Sequence, residues 1–252
     1  MVNTDVLSVV RAVFEMPYPI VASVPTKLEM DWEKTTPKDR TQIYAANQRA
    51  TGRMINQRRT ISTAEQFEKY DAIYFPWYAD TRGRIYPYAS GLSPQGDDLA
   101  KAMLCFAEAK PLGPKGGRWL RVHGANCFGK NKLTYDDREA WVREHQSQIC
   151  KSAENPLDYT WWTKADDAWC FLSFCFEYAA WTRHCALGKS PESFMSHLSV
   201  AMDGTCSGLQ HYSGMLRDYL GGKQVNLVDA GMPQDIYRTV AEKLKSKLDP
   251  KS

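Results

Sequence analysis

The stretch "LSVAMDGTCSGLQHYSGML", Leu198 to Leu216, sets one aspartate between two kinds of periodicity. Before Asp203, Leu198, Val200 and Met202 alternate with smaller or polar residues, the two-residue period of a strand with one buried face. After it, Gly204 and Gly208 bracket a turn of small residues. Leu209, Tyr212, Leu216 and Leu220 then recur at helical spacing, and Gly221-Gly222 supply a stop. The segment predicts strand, tight turn and helix, with a carboxylate at the carboxyl end of the strand.

A carboxylate in that position suits Mg²⁺, a hard ion that takes oxygen ligands and leaves room for substrate phosphates. The competing reading is a turn aspartate that accepts backbone hydrogen bonds. The same letters also fit a nucleophile elbow, "GTCSG" from Gly204 to Gly208, with Cys206 in place of serine. That reading, a cysteine hydrolase, needs a later histidine with an acid between. The only later histidine is His211, five residues on and in the same expected helix, so the triad cannot be completed here.

The wider composition of the 252 residues is that of a folded protein, 43% apolar and 24% charged, which allows a substantial core. A net charge of +3 does not by itself announce a nucleic-acid partner, so local clustering has to carry that argument. The seven cysteines include no CxxC pair, and Cys170 and Cys175 lie in an apolar run. They read as free thiols in a reducing compartment rather than zinc ligands or a disulfide framework. No secretory signal opens the chain and no run approaches the roughly 18 apolar residues of a membrane span, so no membrane partner is expected.

Along the chain, helical periodicity covers Thr4 to Phe14, and a second helix runs from Arg40 to Arg59. On the latter Arg49 and Arg53 sit one turn apart, Arg58 and Arg59 follow, and no acid lies between Gln42 and Thr63. Such a face is either solvated or in contact with phosphates. "YDAIYFPWYADTRGRIYPYASGLSPQG" predicts two short strands, Ile73-Tyr74-Phe75 and Arg84-Ile85-Tyr86, around a turn. Arg82 and Arg84, two apart on an extended strand, share a face and can bracket adjacent phosphates or form structural salt bridges. Tyr74, Trp77, Tyr78, Tyr86 and Tyr88 suit either stacking on bases or ordinary packing. Further helices are expected near Asp98–Ala109, Gly117–Cys127 and Tyr135–Ala153, with a buried one over "DDAWCFLSFCFEYAAW". Lys130 and Lys132 of the "GKNK" loop could meet a triphosphate or simply face water.

Taken in order, "YFPWYADTRGRIYP", "LRVHGANCFG", "FCFEYAAW", "AMDGTCSGLQHYSGMLRD" and "PQDIY" resemble the single-subunit, bacteriophage-type DNA-directed RNA polymerases, relatives of the mitochondrial enzyme. The likeness runs from about Ile43 to the end. It implies part of a right-hand polymerase fold, α+β and predominantly helical. Residues 1–70 would be thumb-like, 71–109 the first part of the palm, and 110–195 a helical palm insertion. Residues 196–220 would be the metal-binding strand, turn and helix, and 221–252 the start of the fingers. The implied activity is template-dependent nucleotidyl transfer from NTPs to the RNA 3′ end with two Mg²⁺ ions.

By the same likeness Asp203 would ligate both ions, with the Gly204 carbonyl as a further ligand. Arg82 and Arg84 would contact the template and the RNA–DNA hybrid, although the family has a tryptophan where this chain has Thr81. Lys132 would lie near the triphosphate of the incoming nucleotide, and Tyr237 would line the catalytic pocket. "TRHCALGKSPESFMSH" is longer than the family's linker and reads as a surface insertion. The implied partners are a DNA template, the RNA product and NTPs, for a monomer in the host cytoplasm if viral or the mitochondrial matrix if organellar. The nucleotide-binding fingers helix and a second metal aspartate are expected beyond Ser252, which makes the chain by itself inactive. The rival from another class is a non-catalytic, basic and aromatic nucleic-acid-binding module.

Overall fold

A computed structural model describes residues 1–200 and 204–248. Helix α1 (Thr4–Glu15) begins where the Asn3 side chain accepts a hydrogen bond from the Val6 N–H at 3.2 Å, and it turns Val6, Leu7, Val10 and Val13 inward. Helix α2 (Pro37–Phe67) starts at the N-cap Thr36 with Pro37 in its first turn, and exceeds the expected Arg40–Arg59 at both ends. Strands β1 (Trp77–Ala79) and β2 (Ile85–Pro87) form an antiparallel hairpin with Tyr78 opposite Tyr86. The first strand therefore lies four residues later than Ile73-Tyr74-Phe75, because the tight turn at Asp80–Gly83 sets the register.

Helix α3 (Asp98–Ala102) is shorter than expected. From Leu104 the chain leaves it to bridge Val2, and the Phe106 N–H donates to the His197 carbonyl at 2.9 Å. Strand β3 (Lys110–Pro111) precedes α4 (Gly116–Cys127). The expected helix over Tyr135–Ala153 is two, α5 (Tyr135–Glu144) and α6 (Gln146–Glu154). The break is at His145, whose Nδ1 lies 2.8 Å from the Trp141 carbonyl and whose ring stacks on Trp141 at 4.4 Å. A 3₁₀ turn at Thr160–Lys164 leads into α7 (Ala168–Ala186). Strand β4 (Met195–Ser196) pairs antiparallel with β3, and α8 (Ser207–Leu216), α9 (Tyr219–Gln224) and α10 (Ile236–Leu248) complete the described elements. The fold is α+β and mostly helical.

Helix α7 is apolar on nearly every side, which demands burial all round. It supplies the fully buried Trp169, Phe171, Leu172, Phe174 and Cys175, and packs against α1, α3, α4 and α6. Its first turn is closed by a distant acid: the Trp169 and Cys170 N–H groups donate to the Asp98 carboxylate at 2.8 and 2.9 Å. These are donors that no helix satisfies internally. Glu139 ties α4 to α5 by accepting from Arg118, Arg121 and Arg143. All seven cysteines are free, and burial pushes the Cys127 thiol up to about 12 and raises those of Cys170 and Cys175 well above the ordinary range. Cys127, Cys170 and Cys175 are packing residues.

His123 on α4 meets Phe174 edge-on, ring centroids 6.5 Å apart, and burial pushes its pKa down to about 4. The unfolded chain then binds a proton that the folded chain refuses between about pH 6.5 and 4. Stability should therefore fall as pH drops through that window, by about 2 kcal/mol between pH 7 and 5 from this group. Denaturant melts at both pH values should show a smaller loss for His123→Gln than for the wild type. Equal losses would mean that another group titrates.

The region that opened the sequence reading departs from expectation. Leu198 is partly buried and Val200 exposed, with no strand there; the pairing sits earlier, at Met195–Ser196. Met202 and Asp203 lie outside the described residues. Helix α8 ends at Leu216 because Arg217 adopts a left-handed conformation, φ 53°, and the Asp218 N–H bonds the Ser213 carbonyl at 2.9 Å. Gly221 and Gly222 lie inside α9 and are not a stop. They are required by close approach, since a Cβ on Gly221 would sit less than 3.0 Å from the Asp218 and Ser213 side chains. Leu209, Tyr212, Leu216 and Leu220 are all exposed. Among the described residues no helix is long and apolar enough to cross a membrane.

Candidate functional site

The turn after Asp203 is held from three sides. Cys206 takes φ 54° as it enters α8, and its carbonyl accepts the Gln210 N–H at 3.1 Å. The Tyr237 hydroxyl faces the Cys206 thiol, whose hydrogen bonding and charge push the tyrosine pKa up. Thr205 Oγ1 accepts a hydrogen bond from Asn226 Nδ2 at 3.1 Å. The same Asn226 side chain binds the Gln234 backbone twice: Nδ2 donates to its carbonyl at 2.9 Å and Oδ1 accepts from its N–H at 2.7 Å. Gln210 Nε2 reaches across to the Val225 carbonyl at 2.7 Å.

Lys132 arrives from the loop before α5. Its Nζ lies 3.0 Å from Asp235 Oδ2. That contact, with the Arg238 N–H, holds the Asp235 carboxyl below its ordinary range. Asp235 Oδ1 accepts that Arg238 N–H at 3.3 Å, so this one acid serves both the first turn of α10 and Lys132. The loop itself is pinned by the buried Arg138, which donates to the carbonyls of Leu133 and Asn131 and to Asn126 Oδ1 at 2.7 to 2.9 Å. Lys132 remains largely exposed while its backbone is fixed. Lys130 turns instead toward Phe128 and Trp141, about 6 Å from each ring.

Arg82 and Arg84 are placed differently from expectation. They do not share the face of one strand but flank Gly83, φ 76°, in the turn between β1 and β2. Asp80 organises that turn, accepting the N–H groups of both Arg82 and Arg84 at 2.9 Å. Asp80 also pairs with the Arg82 guanidinium at 3.0 Å. Arg84 makes no ion pair among the described residues. The tyrosines of the hairpin pack on one another, Tyr78 tilted against Tyr86 at 5.9 Å and edge-on to Tyr88 at 5.2 Å. On α2 the exposed Arg49, Arg53, Arg58 and Arg59 make no ion pair among the described residues, while Glu65 and Glu68 are taken by Arg11.

The structure thus links Lys132 to Asp235 and Tyr237 to Cys206, on two segments that Asn226 joins, and leaves Arg82 and Arg84 on a separate hairpin. Among the described residues no hydrogen bond joins Cys206 to His211, so the elbow reading gains nothing. No three His, Cys, Asp or Glu side chains gather among the described residues, so these alone do not form a site for Mg²⁺. A cavity of about 480 Å³ lined by Asn3, Cys105, Glu154, Glu177 and Arg183 contains none of the candidate residues. Sequence reasoning missed Asn226, Gln234, Asp235 and Arg138. Only "QDIY" carried a signal for two of them, and it drew attention to the tyrosine alone.

Residues 110–252 match the sequence profile of the family described as DNA-dependent RNA polymerase. The DNA-directed RNA polymerase of Enterobacteria phage T3 is 41% identical over 202 residues, 80% of this chain and 22% of its own length. The T7 RNA polymerase of Escherichia phage T7 is 41% identical over the same extent. The mitochondrial DNA-directed RNA polymerase of Schizosaccharomyces pombe is 43% identical over 189 residues, 75% of this chain and 16% of its own length. The chain therefore spans about a fifth of the phage relatives it matches. On the match over 110–252, which holds the turn after Asp203, the Lys132 loop and Tyr237 together, the chain belongs to the family of phage-type DNA-dependent RNA polymerases.

Proposed function

We propose that these residues form the first metal-binding half of a polymerase catalytic centre, in which NTPs are added to an RNA 3′ end on a DNA template. The observation that carries the reading is that Asn226 joins the turn after Asp203 to the segment that carries Tyr237 and Asp235, the partner of Lys132. A pinned loop that presents one exposed lysine is suited to meet a triphosphate. The Lys132–Asp235 pair is solvent-exposed, so an incoming phosphate can compete for the ammonium. Asp203, with the Gly204 carbonyl, would hold divalent ions, two Mg²⁺ in the family's reaction, which activate the attacking hydroxyl and stabilise the leaving oxygens.

The helix-rich part up to residue 70, the hairpin and the insertion of 110–195 would serve as thumb, palm and palm insertion, with 221–252 opening the fingers. Arg84, and Arg82 once released from Asp80, would meet the phosphates of template and hybrid, together with the unpaired arginines of α2. The protein would act as a monomer, in the host cytoplasm if it is viral or the mitochondrial matrix if organellar. Arg84→Ala should flatten the fall of log affinity with log salt by about 1 unit, one phosphate contact's share. An unchanged slope, measured by fluorescence anisotropy on an RNA–DNA hybrid, would remove that contact.

The direct test is extension of a labelled RNA primer on a DNA template with Mg²⁺ and NTPs. It is run on the 252-residue chain and on a chimera in which the chain replaces the matching residues of the phage T3 relative. The chimera is expected to extend RNA and the chain by itself is not. A chimera that folds and binds the template but does not extend would sink the reading, and extension by the chain alone would place a full catalytic set within it.

A further inference from the structure

Asn226 is the residue through which the candidate site is joined. It sits at the end of α9 in a left-handed conformation, φ 58°. The Leu227 N–H bonds the Gly222 carbonyl at 2.9 Å and the Asn226 N–H bonds that of Lys223 at 3.2 Å. Those two bonds are the usual closure of a helix by a left-handed residue, a role that glycine fills best and asparagine tolerates. Closure alone uses only the backbone. The side chain makes three further hydrogen bonds, all to other segments.

Those bonds have a geometry that closure does not explain. One amide matches the backbone of Gln234 through both its N–H and its carbonyl, as a neighbouring strand would. With its remaining donor it grips Thr205, two residues after Asp203. Gln234 in turn precedes Asp235, partner of Lys132, and Tyr237, partner of Cys206. The Thr205 turn and the Gln234–Tyr237 segment lie about thirty residues apart in sequence, and two side-chain links join them: Asn226 and the Tyr237–Cys206 contact. The region has little buried apolar packing to do the work instead, since α10 has no buried residue and α8 has only Ser213.

We infer that Asn226 is a positioning residue of the polymerase site, fixing the turn after Asp203 against the segment that carries Asp235 and Tyr237. The inference rests on the proposed function for its catalytic consequence, but the clamp itself can be tested without it. Asn226→Gly separates the two roles, because glycine keeps the left-handed helix end and removes only the side-chain bonds.

Amide hydrogen exchange on the 252-residue chain, read by NMR, should show the Gln234 N–H protected in the wild type and exchanging at least about tenfold faster in Asn226→Gly. The Leu227 N–H, bonded to Gly222, should not change. In the chimera, Asn226→Gly should lower kcat for extension about tenfold, the worth of one to two hydrogen bonds, with an unchanged melting temperature. Thr205→Val should give part of that loss, and adding it to Asn226→Gly should cause no further loss, the mark of a shared interaction. Unprotected Gln234 in the wild type would overturn the clamp. Full kcat in Asn226→Gly, or additive effects with Thr205→Val, would overturn the positioning role. A wild-type chimera that never extends RNA would count against the polymerase reading and leave the exchange result to judge the clamp.

Discussion

Asp203→Ala in the extending chimera is expected to lower RNA synthesis by about 10³-fold or more while template binding stays within a few-fold. A carboxylate that holds divalent ions is worth several kcal/mol of charge stabilisation in the transition state, and each 1.36 kcal/mol is a factor of ten in rate. On the proposed function, template affinity would have a different source, the arginines of the β1–β2 hairpin and of α2, whose contribution would be screened by salt. The two properties should therefore come apart in one variant. Single-turnover extension and anisotropy binding, measured on the same preparation, decide the matter. A parallel loss of both would show that Asp203 serves the fold, the turn-aspartate reading, rather than the reaction.

Gly124→Ala should be the most damaging small change to stability. A Cβ on Gly124 would lie less than 3.0 Å from three atoms of the Phe174 ring. Phe174 is fully buried in the middle of α7 and has no room to withdraw, because the tilted rings of Phe171 and Tyr178 pack against it at 5.5 and 5.4 Å. Overpacking of this kind costs about 3 kcal/mol where the neighbours cannot move. In a chain of this size that lowers the melting temperature by roughly 6–12 °C. Phe174→Leu in the same molecule should return part of the loss, because it vacates the space that the methyl needs. A melting temperature within 2 °C of wild type, about the shift of half a kcal/mol, would mean that α4 and α7 separate more easily than their packing implies.

The elements whose chemistry is local were legible in the sequence. The Asn3 cap and the spacing of Val6, Leu7, Val10 and Val13 are enough for α1, and an apolar run without a polar face is enough to bury α7. The ordered motifs were likewise enough for the family, because they are strings of letters and need no coordinates. What the sequence misjudged were breaks made by contacts. His145 divides α5 from α6 through its ring on Trp141, and Arg217 ends α8 with a left-handed backbone that no preference of arginine announces.

The hairpin began at Trp77 rather than Ile73 because Asp80 fixes the register of its turn, and that same bond takes Arg82 off the face it was expected to share with Arg84. The candidate site divides in the same way. Tyr237 could be picked out by resemblance because it sits in the recognisable string "PQDIY", and Lys132 by its place in the loop that follows "LRVHGANCFG". Asn226, Asp235 and Arg138 act through hydrogen bonds to residues 5 to 103 positions away. Periodicity and spacing report only neighbours along the chain, so partners of that kind become visible only when the tertiary structure brings them within 3 Å.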